Sequence, residues 1–347
     1  MKAIVYGEFG SAEVLELREA RKPDVERDEV LVRVRAASPN PYDWHFMRGL
    51  PYIARVAGAG LRKPKNPVLG SDIAGEVEAV GSEVTRFRPG DEVFGFVRAG
   101  GFAEYVSAPE ELLALKPANL SFQQAATVPL AALTALQGLR DVGQIRSGQK
   151  ILIVGASGGV GTFAVQIAKW FGADVTGVCS RRNLEMVRSI GADSVIDYTR
   201  EDFTRSSQKY DLIFQLAGTA SPSACRRALT PEGTLVLSSG DSPGRFIGPV
   251  DRILKAVLLS LFIGQSLRPL DTKPSSKDLE FLTELIEAGS VTPVIDRTYP
   301  LSEAADAIRY LETGRARGKV VIFVSAASTT SEAAPRRLQA QIQPKNR

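Results

Sequence analysis

The chain has 347 residues, 44% apolar and 24% charged, which fits a globular protein of two domains and excludes a disordered chain or a disulfide-stapled miniprotein. The formal net charge is +4, but Arg336, Arg337, Lys345 and Arg347 against Glu332 supply three of those charges, so the excess lies in a terminal stretch and argues against a nucleic-acid face. Two cysteines, Cys179 and Cys225, and one histidine, His45, are too few for a cysteine-rich zinc site or a disulfide framework.

The opening MKAIVYGEF enters a strand pattern at once, without the apolar block and small-residue cleavage site of a signal peptide, so a cytoplasmic enzyme is expected. From Lys2 to about Ala126, runs such as Val30-Leu31-Val32-Arg33-Val34 alternate between Gly, Pro and Asp turns, which predicts a mostly antiparallel barrel or sandwich. Ser121 with Gln124 three residues on reads as a helix N-terminus, and a small-residue helical stretch follows to about Val142.

The period then changes. Strands at Lys150–Val154, Asp174–Val178, Ser194–Tyr198, Tyr210–Phe214 and Gly233–Leu237 alternate with helices at Gly159–Phe171 and Arg182–Ile190, which predicts an α/β domain with a parallel sheet covered on both faces. Ile253 to Gly264 is the most apolar run, but Lys255 interrupts it and it falls short of the roughly 20 residues a bilayer span needs. Burial explains it best, with cleft lining, dimer contact or a membrane surface as alternatives. Beyond it come a helix near Lys277–Glu287, a strand near Val291–Tyr299, a helix Ser302–Glu312 and a strand Lys319–Val324, read as returning to the first domain. The expected organisation is a substrate domain of residues 1–126 with 267–324, a dinucleotide domain of 127–266, and a disordered tail of 325–347.

The most informative segment is Ile151-Leu152-Ile153-Val154-Gly155-Ala156-Ser157-Gly158-Gly159-Val160-Gly161. Glycines at 155, 158 and 161, after a buried strand and opening a helix, set bare backbone amides and a positive helix end against a pyrophosphate. Gly155 permits the turn, Gly158 with Gly159 admits the phosphates, and Gly161 lets the helix lie close. Ser157 and Val160 share that crest. No GK[ST] follows, so a P-loop is excluded.

An NAD site would place Asp or Glu at the end of the second strand. Here Cys179-Ser180-Arg181-Arg182 stands instead, and a hydroxyl followed by two guanidinium groups suits the 2′-phosphate of NADPH. The alternative is that Arg181 and Arg182 begin a solvated helix.

With these motifs in view, residues 1 to 324 resemble the zinc-free quinone oxidoreductase and enoyl-reductase-like branch of the medium-chain dehydrogenase/reductase superfamily. The resemblance rests on MKAIVYGEFG, Ala37-Ser38-Pro39-Asn40-Pro41-Tyr42-Asp43, Leu69-Gly70-Ser71-Asp72-Ile73-Ala74-Gly75, Arg88-Pro89-Gly90-Asp91-Glu92-Val93, Gly101-Phe102-Ala103-Glu104-Tyr105, the glycine turn, and Ala316-Arg317-Gly318-Lys319-Val320-Val321. It implies a GroES-like β-rich substrate domain and a Rossmann domain with the cleft between them. Where zinc-dependent relatives carry a cysteine ligand this chain has Asn40, and in place of their His-Glu pair it has Ser71 and Asp72, which argues against carbonyl polarisation by metal.

Without a metal, hydride transfer relies on positioning and on hydrogen bonds to the oxygen that gains charge, which favours quinones and α,β-unsaturated carbonyls as acceptors. By resemblance Asn40 is the first catalytic candidate, with Tyr52 and Tyr42 as donors; a turn at Asn40-Pro41 and plain packing of the tyrosines are the bland alternatives. The resemblance also sets Thr134 near the nicotinamide, Tyr198 beside the adenosine phosphate, and Leu216-Ala217-Gly218 with Ser238-Ser239-Gly240 on strand ends facing the cofactor. His45, between Trp44 and Phe46, reads as packed or exposed rather than catalytic, and Cys179 as a small hydrophobe. The implied function is an NADPH-dependent oxidoreductase acting on a small conjugated carbonyl or quinone, as a homodimer, with no nucleic acid and no integral membrane segment. The alternatives are an NADP(H)-binding sensor with little turnover, or a ketone/alcohol dehydrogenase.

Overall fold

Alternating burial builds the first domain. In β3 (Glu29–Ser38), Val30, Val32 and Val34 are buried while Arg33 and Arg35 turn outward to share the Glu76 carboxylate. A computed structural model describes residues 1–52, 55–218, 220–238 and 264–324. The apolar run at 253–263, Ser239, Gly240 and the expected tail at 325–347 lie outside the described residues.

Strands β1 (Lys2–Val5) and β2 (Glu16–Glu19) form a small antiparallel pair. Five more follow in the first half: β3, β4 (Asp72–Val80), β5 (Glu92–Phe96), β6 (Tyr105–Pro109) and β7 (Leu113–Leu115). The second half supplies β8 (Lys150–Val154), β9 (Asp174–Cys179), β10 (Ser194–Asp197), β11 (Tyr210–Gln215), β12 (Leu229–Leu237), β13 (Ser266–Pro269), β14 (Ile295–Pro300) and β15 (Lys319–Phe323). One sheet runs β14-β15-β3-β4-β5-β7 with β6 on β3; it is antiparallel except for β14 on β15. The other runs β10-β9-β8-β11-β12-β13 and is parallel throughout. Its order reverses between β8 and β11, the place where an open α/β sheet leaves a ligand crevice beyond its strand ends.

Three details differ from the sequence reading. The half read as β structure contains a helix, α1 (Pro41–Arg48), started by Pro41 and by the Asp43 carboxylate, which accepts the Asn40 N–H at 2.7 Å. The single helix expected from Ser121 to Val142 is broken at Pro129 into α2 (Phe122–Ala125) and α3 (Pro129–Gln137), followed by a wide turn at Gly138–Val142. The domain boundary set at 266/267 cuts through β13, which pairs with β12 from Thr234↔Ser266 to Leu237↔Pro269; among the described residues the parallel sheet therefore has six strands and takes residues 267–269 with it. The following helix, Ser276–Glu287, buries Leu279, Leu282, Leu285 and Ile286 in the same core as α3 and α4 (Gly159–Trp170). Only from β14 onward does the chain rejoin the first sheet.

The two domains also share that core. Ala36, Ala74 and Phe94 of the mixed sheet pack with Ala131, Leu133 and Leu136 of the α3 segment. The backbone joins them as well: the Gly318 N–H, just before β15, donates to the Ser157 carbonyl at 2.9 Å, and Gly158 and Gly318 form a parallel bridge.

Candidate cofactor cleft and active site

The turn between β8 and α4 takes its shape from two glycines. Gly155 has φ +91°, and a Cβ there would lie 2.8 Å from the Ala217 Cβ. At Gly161 a Cβ would lie 2.1 Å from the Gly155 carbonyl oxygen, so the helix could not sit this close with any side chain. Gly158 differs, since a Cβ there would meet only the Gly155 oxygen, at 3.4 Å. Its bareness is not required by the protein's own packing and leaves room for a ligand. The first bond into α4 is from Thr162 N–H to the Gly158 carbonyl, 3.0 Å, so the N–H groups of Gly159, Val160 and Gly161 precede the ladder, the arrangement that suits an anion at a helix N-terminus.

The second strand ends at Cys179, and Arg181–Asn183 form a 3-10 turn before α5 (Leu184–Ser189), rather than one continuous helix from Arg182. Arg181 and Arg182 are both exposed, and Arg182 Nη2 donates to the Arg315 carbonyl at 2.6 Å. The Thr199 hydroxyl holds the Asp197 carboxyl, at the end of β10, below the usual carboxylate range, with Arg200 and Arg181 adding to it. Tyr198 is 62% exposed, open enough to lie against a bound base.

Asn183 was not singled out in the sequence. It is 4% exposed and donates from Nδ2 to Ser157 Oγ at 2.9 Å and Ser180 Oγ at 3.3 Å, stitching the phosphate turn to the second-strand end. Its Oδ1 is buried with no partner among the described residues. A buried acceptor without a donor is costly, and the hydroxyls of a ribose fit it. With the orphan amides and the two guanidinium groups, this donor and acceptor set fits NADPH.

Leu216, Ala217, Gly218 and Ser238 follow the ends of the neighbouring strands β11 and β12. Leu216 N–H bonds the Val154 carbonyl at 3.0 Å, Ala217 lies against Gly155, Gly218 has φ +85°, and Ser238 N–H bonds the Gln215 carbonyl at 3.2 Å. Thr134, 6% exposed, donates to the Leu130 carbonyl at 2.6 Å and accepts from Thr272 at 3.1 Å. Leu130 N–H in turn donates to Asp72 Oδ1 at 3.1 Å, so the first turn of α3 caps a buried carboxylate.

That carboxylate belongs to a buried polar cluster. Asn40 Nδ2 lies 2.9 Å from Asp72 Oδ2, 3.2 Å from the Ser38 carbonyl and 3.3 Å from Ser71 Oγ, and Asn40 Oδ1 accepts from Lys319 Nζ at 2.5 Å. Lys319 Nζ also lies 3.5 Å from Asp72 Oδ2. Asp43 Oδ2 accepts from Asn40 N and, at 3.1 Å, from Ser71 Oγ, while its Oδ1 has no partner among the described residues. Burial raises the Asp72 pKa and lowers that of Lys319, but the donors converging on Asp72 favour the ion pair. Burial, opposed by the Asn40 N–H and reinforced by Asp72, pushes Asp43 up to about 7. Asn40, Ser71 and Asp72 stand out in the sequence, while Lys319 and Asp43 carry no signal of their own there.

Asn40 is 4% exposed, and its two N–H groups meet three protein acceptors, of which the Ser38 carbonyl and the Ser71 hydroxyl are the two longer contacts. Tyr42 is half-buried, stacked on Phe46 at 4.3 Å and edge-on to Phe96 at 5.4 Å, and burial pushes its hydroxyl up to about 12. Tyr52 is 40% exposed with the Arg55 guanidinium 4.9 Å from its ring centre. His45 bonds the Leu50 carbonyl through Nδ1 at 2.9 Å and packs on Trp44, a structural role. Cys179 is buried, which pushes its thiol up to about 11, too high for a nucleophile. Among the described residues, no group of three or more His, Cys, Asp or Glu side chains is placed to hold a metal ion.

Comparison with known proteins gives the same architecture. The family model "Alcohol dehydrogenase GroES-like domain" matches residues 26–118, and "Zinc-binding dehydrogenase" matches residues 190–322. The chain is 37% identical to the 2-methylene-furan-3-one reductase of Solanum lycopersicum and 36% to the chloroplastic NADPH-dependent alkenal/one oxidoreductase of Arabidopsis thaliana, in each case over 93% of this chain and 79% of the relative. Among solved structures, the quinone oxidoreductase of Coxiella burnetii superposes with a TM-score of 0.82 at 32% identity, over 94% of this chain and 99% of that one. The Escherichia coli quinone oxidoreductase complexed with NADPH gives 0.80 at 25% identity, over 93% and 100%.

Proposed function

The chain belongs to the quinone oxidoreductase and enoyl-reductase-like branch of the medium-chain dehydrogenase/reductase superfamily, and we propose that it is an NADPH-dependent reductase of α,β-unsaturated carbonyls or quinones. The observation that carries this reading is the juxtaposition, across one backbone bridge, of a glycine turn followed in the next strand end by an arginine pair with the buried Asn40 amide cluster.

Gly159, Val160 and Gly161 hold the pyrophosphate through their amides, Ser180, Arg181 and Arg182 hold the 2′-phosphate, and Asn183 with Ser157 binds the ribose. When bound, NADPH supplies a hydride. A conjugated acceptor takes it at the β-carbon and carries the charge to oxygen, so one well-placed neutral donor stabilises the change. Asn40 Nδ2 fills that role by exchanging its contact to Ser38 or Ser71. Tyr42, protonated at working pH as tyrosine ordinarily is, and the more exposed Tyr52 hold hydroxyl protons for the α-carbon or its water. Thr134 and the strand ends at Leu216–Gly218 and Ser238 shape the nicotinamide side of the crevice.

We place the protein in the cytoplasm as a homodimer acting on small molecules. No helix among the described residues is long and apolar enough to cross a membrane. The experiment that tests the function follows NADPH absorbance with a panel of enones, alkenals, quinones and unconjugated ketones. Turnover confined to the conjugated acceptors supports the proposal; binding of NADPH without its consumption by any of them refutes it and favours a sensor.

A further inference from the structure

Lys319 is a buried titratable group that hydride transfer, as derived above, leaves unused. It opens β15 directly after Gly318, whose N–H is fixed to the phosphate turn, and it is only 4% exposed. Its stem runs along Gly159, where a Cβ would lie 2.9 Å from Lys319 Cδ, and its ammonium ends on Asn40 Oδ1 and Asp72 Oδ2. An ammonium is expensive to bury, and an apolar pair of similar volume often serves stability as well. A cation here therefore calls for a reason beyond packing.

Asn40 supplies the reason. An amide can be turned over with little change of shape, exchanging its acceptor for its two donors. An ammonium has only donors, so it tolerates the carbonyl end of Asn40 and not the NH₂ end. Lys319 thus selects the orientation in which Oδ1 faces the ammonium and Nδ2 faces Ser38, Ser71 and Asp72. A positive charge on the carbonyl end also draws electron density from the N–H groups and strengthens them as donors.

We propose that Lys319 is a positioning residue for the reduction: its ammonium locks the Asn40 amide with Nδ2 as the donor and polarises it toward the oxygen that gains charge. This rests on Asn40 being the donor assigned above. Lys319 joins the phosphate turn to the reacting end of the cleft without touching the acceptor itself.

The test is a cycle of Lys319→Met, Asn40→Ala and the pair, each assayed at saturating NADPH with an enone the wild type reduces, alongside NADPH titration by calorimetry. Lys319→Met is expected to lower kcat about 10²-fold while the NADPH Kd stays within about threefold. In the Asn40→Ala background the same change is expected to cost less than about threefold, because its effect passes through the missing amide. If Lys319→Met alone does not fold, Lys319→Met/Asp72→Asn, which keeps the buried charge balanced, replaces it throughout the cycle with the same expectations. Losses that multiply independently, a kcat within about threefold of wild type in the lysine variant, or an NADPH Kd weakened with saturated kcat unchanged would each overturn the proposal. A wild type that reduces none of the acceptors, or an Asn40→Ala variant with full kcat, would instead remove the underlying reading.

Discussion

Asp43 gives pH a direct hold on this fold, and the size of the effect follows from its surroundings. The carboxyl is 1% exposed, one oxygen takes the Asn40 N–H and the Ser71 hydroxyl, the other has no partner among the described residues, and burial pushes the pKa from 3.8 to about 7. The native state therefore keeps a proton that the unfolded chain has already released between about pH 4 and about pH 7. Stability attached to this group is complete below the unfolded pKa and is lost as pH rises through the native one. From about pH 5 to about pH 8 the linkage spans roughly two units, or about 3 kcal/mol of stability lost. Asp43→Asn removes the proton while keeping an oxygen for the Asn40 and Ser71 donors. Urea denaturation of both proteins across that range should show them within about 1 kcal/mol of each other near pH 5 and the variant more stable by about 3 kcal/mol near pH 8. Parallel pH profiles, with a constant offset, would refute the raised pKa and with it the description of the cluster.

Replacing Arg181 and Arg182 with Ala should raise the NADPH KM about 10- to 100-fold and leave the NADH KM within about threefold, since each guanidinium contributes a charge-assisted contact to the extra phosphate; equal effects on both cofactors would remove that assignment. Gly158→Ala should melt like wild type yet bind NADPH at least about tenfold more weakly, because its methyl group enters ligand space, whereas Gly161→Ala should destabilise the cofactor domain by about 1–3 kcal/mol in a denaturation assay. Asn40→Ala should lower kcat about 10²-fold with the NADPH Kd little changed, and an unaffected kcat in steady-state assays would retire it as the oxygen donor.

What the sequence made readable was local. The glycine turn, the strands of the parallel sheet and the alternation in β3 are set by neighbours within a few residues, where backbone geometry and periodicity speak directly. The α1 helix had a local signal too, in Asn40-Pro41 followed by Asp43 at the third helical position, but the surrounding β texture outweighed it. β13 has four residues and an unremarkable pattern, and only its place at the edge of a sheet already formed makes it a strand.

The amide cluster was legible only in part. Asn40, Ser71 and Asp72 are brought together by the pairing of Ser38 with Asp72 across β3 and β4, but Lys319 reaches Asn40 from 279 residues away, through a strand whose role depends on the closure of the whole first domain. Asn183 lay hidden for a related reason: its partners are Ser180, close in the chain, and Ser157, which only the parallel sheet brings near.

The most direct test of the central claim is the product formed from an acyclic enone with NADPH carrying deuterium at the transferred position. The account predicts the saturated ketone with one deuterium on the β-carbon, read by NMR. An allylic alcohol with deuterium on the former carbonyl carbon would contradict it.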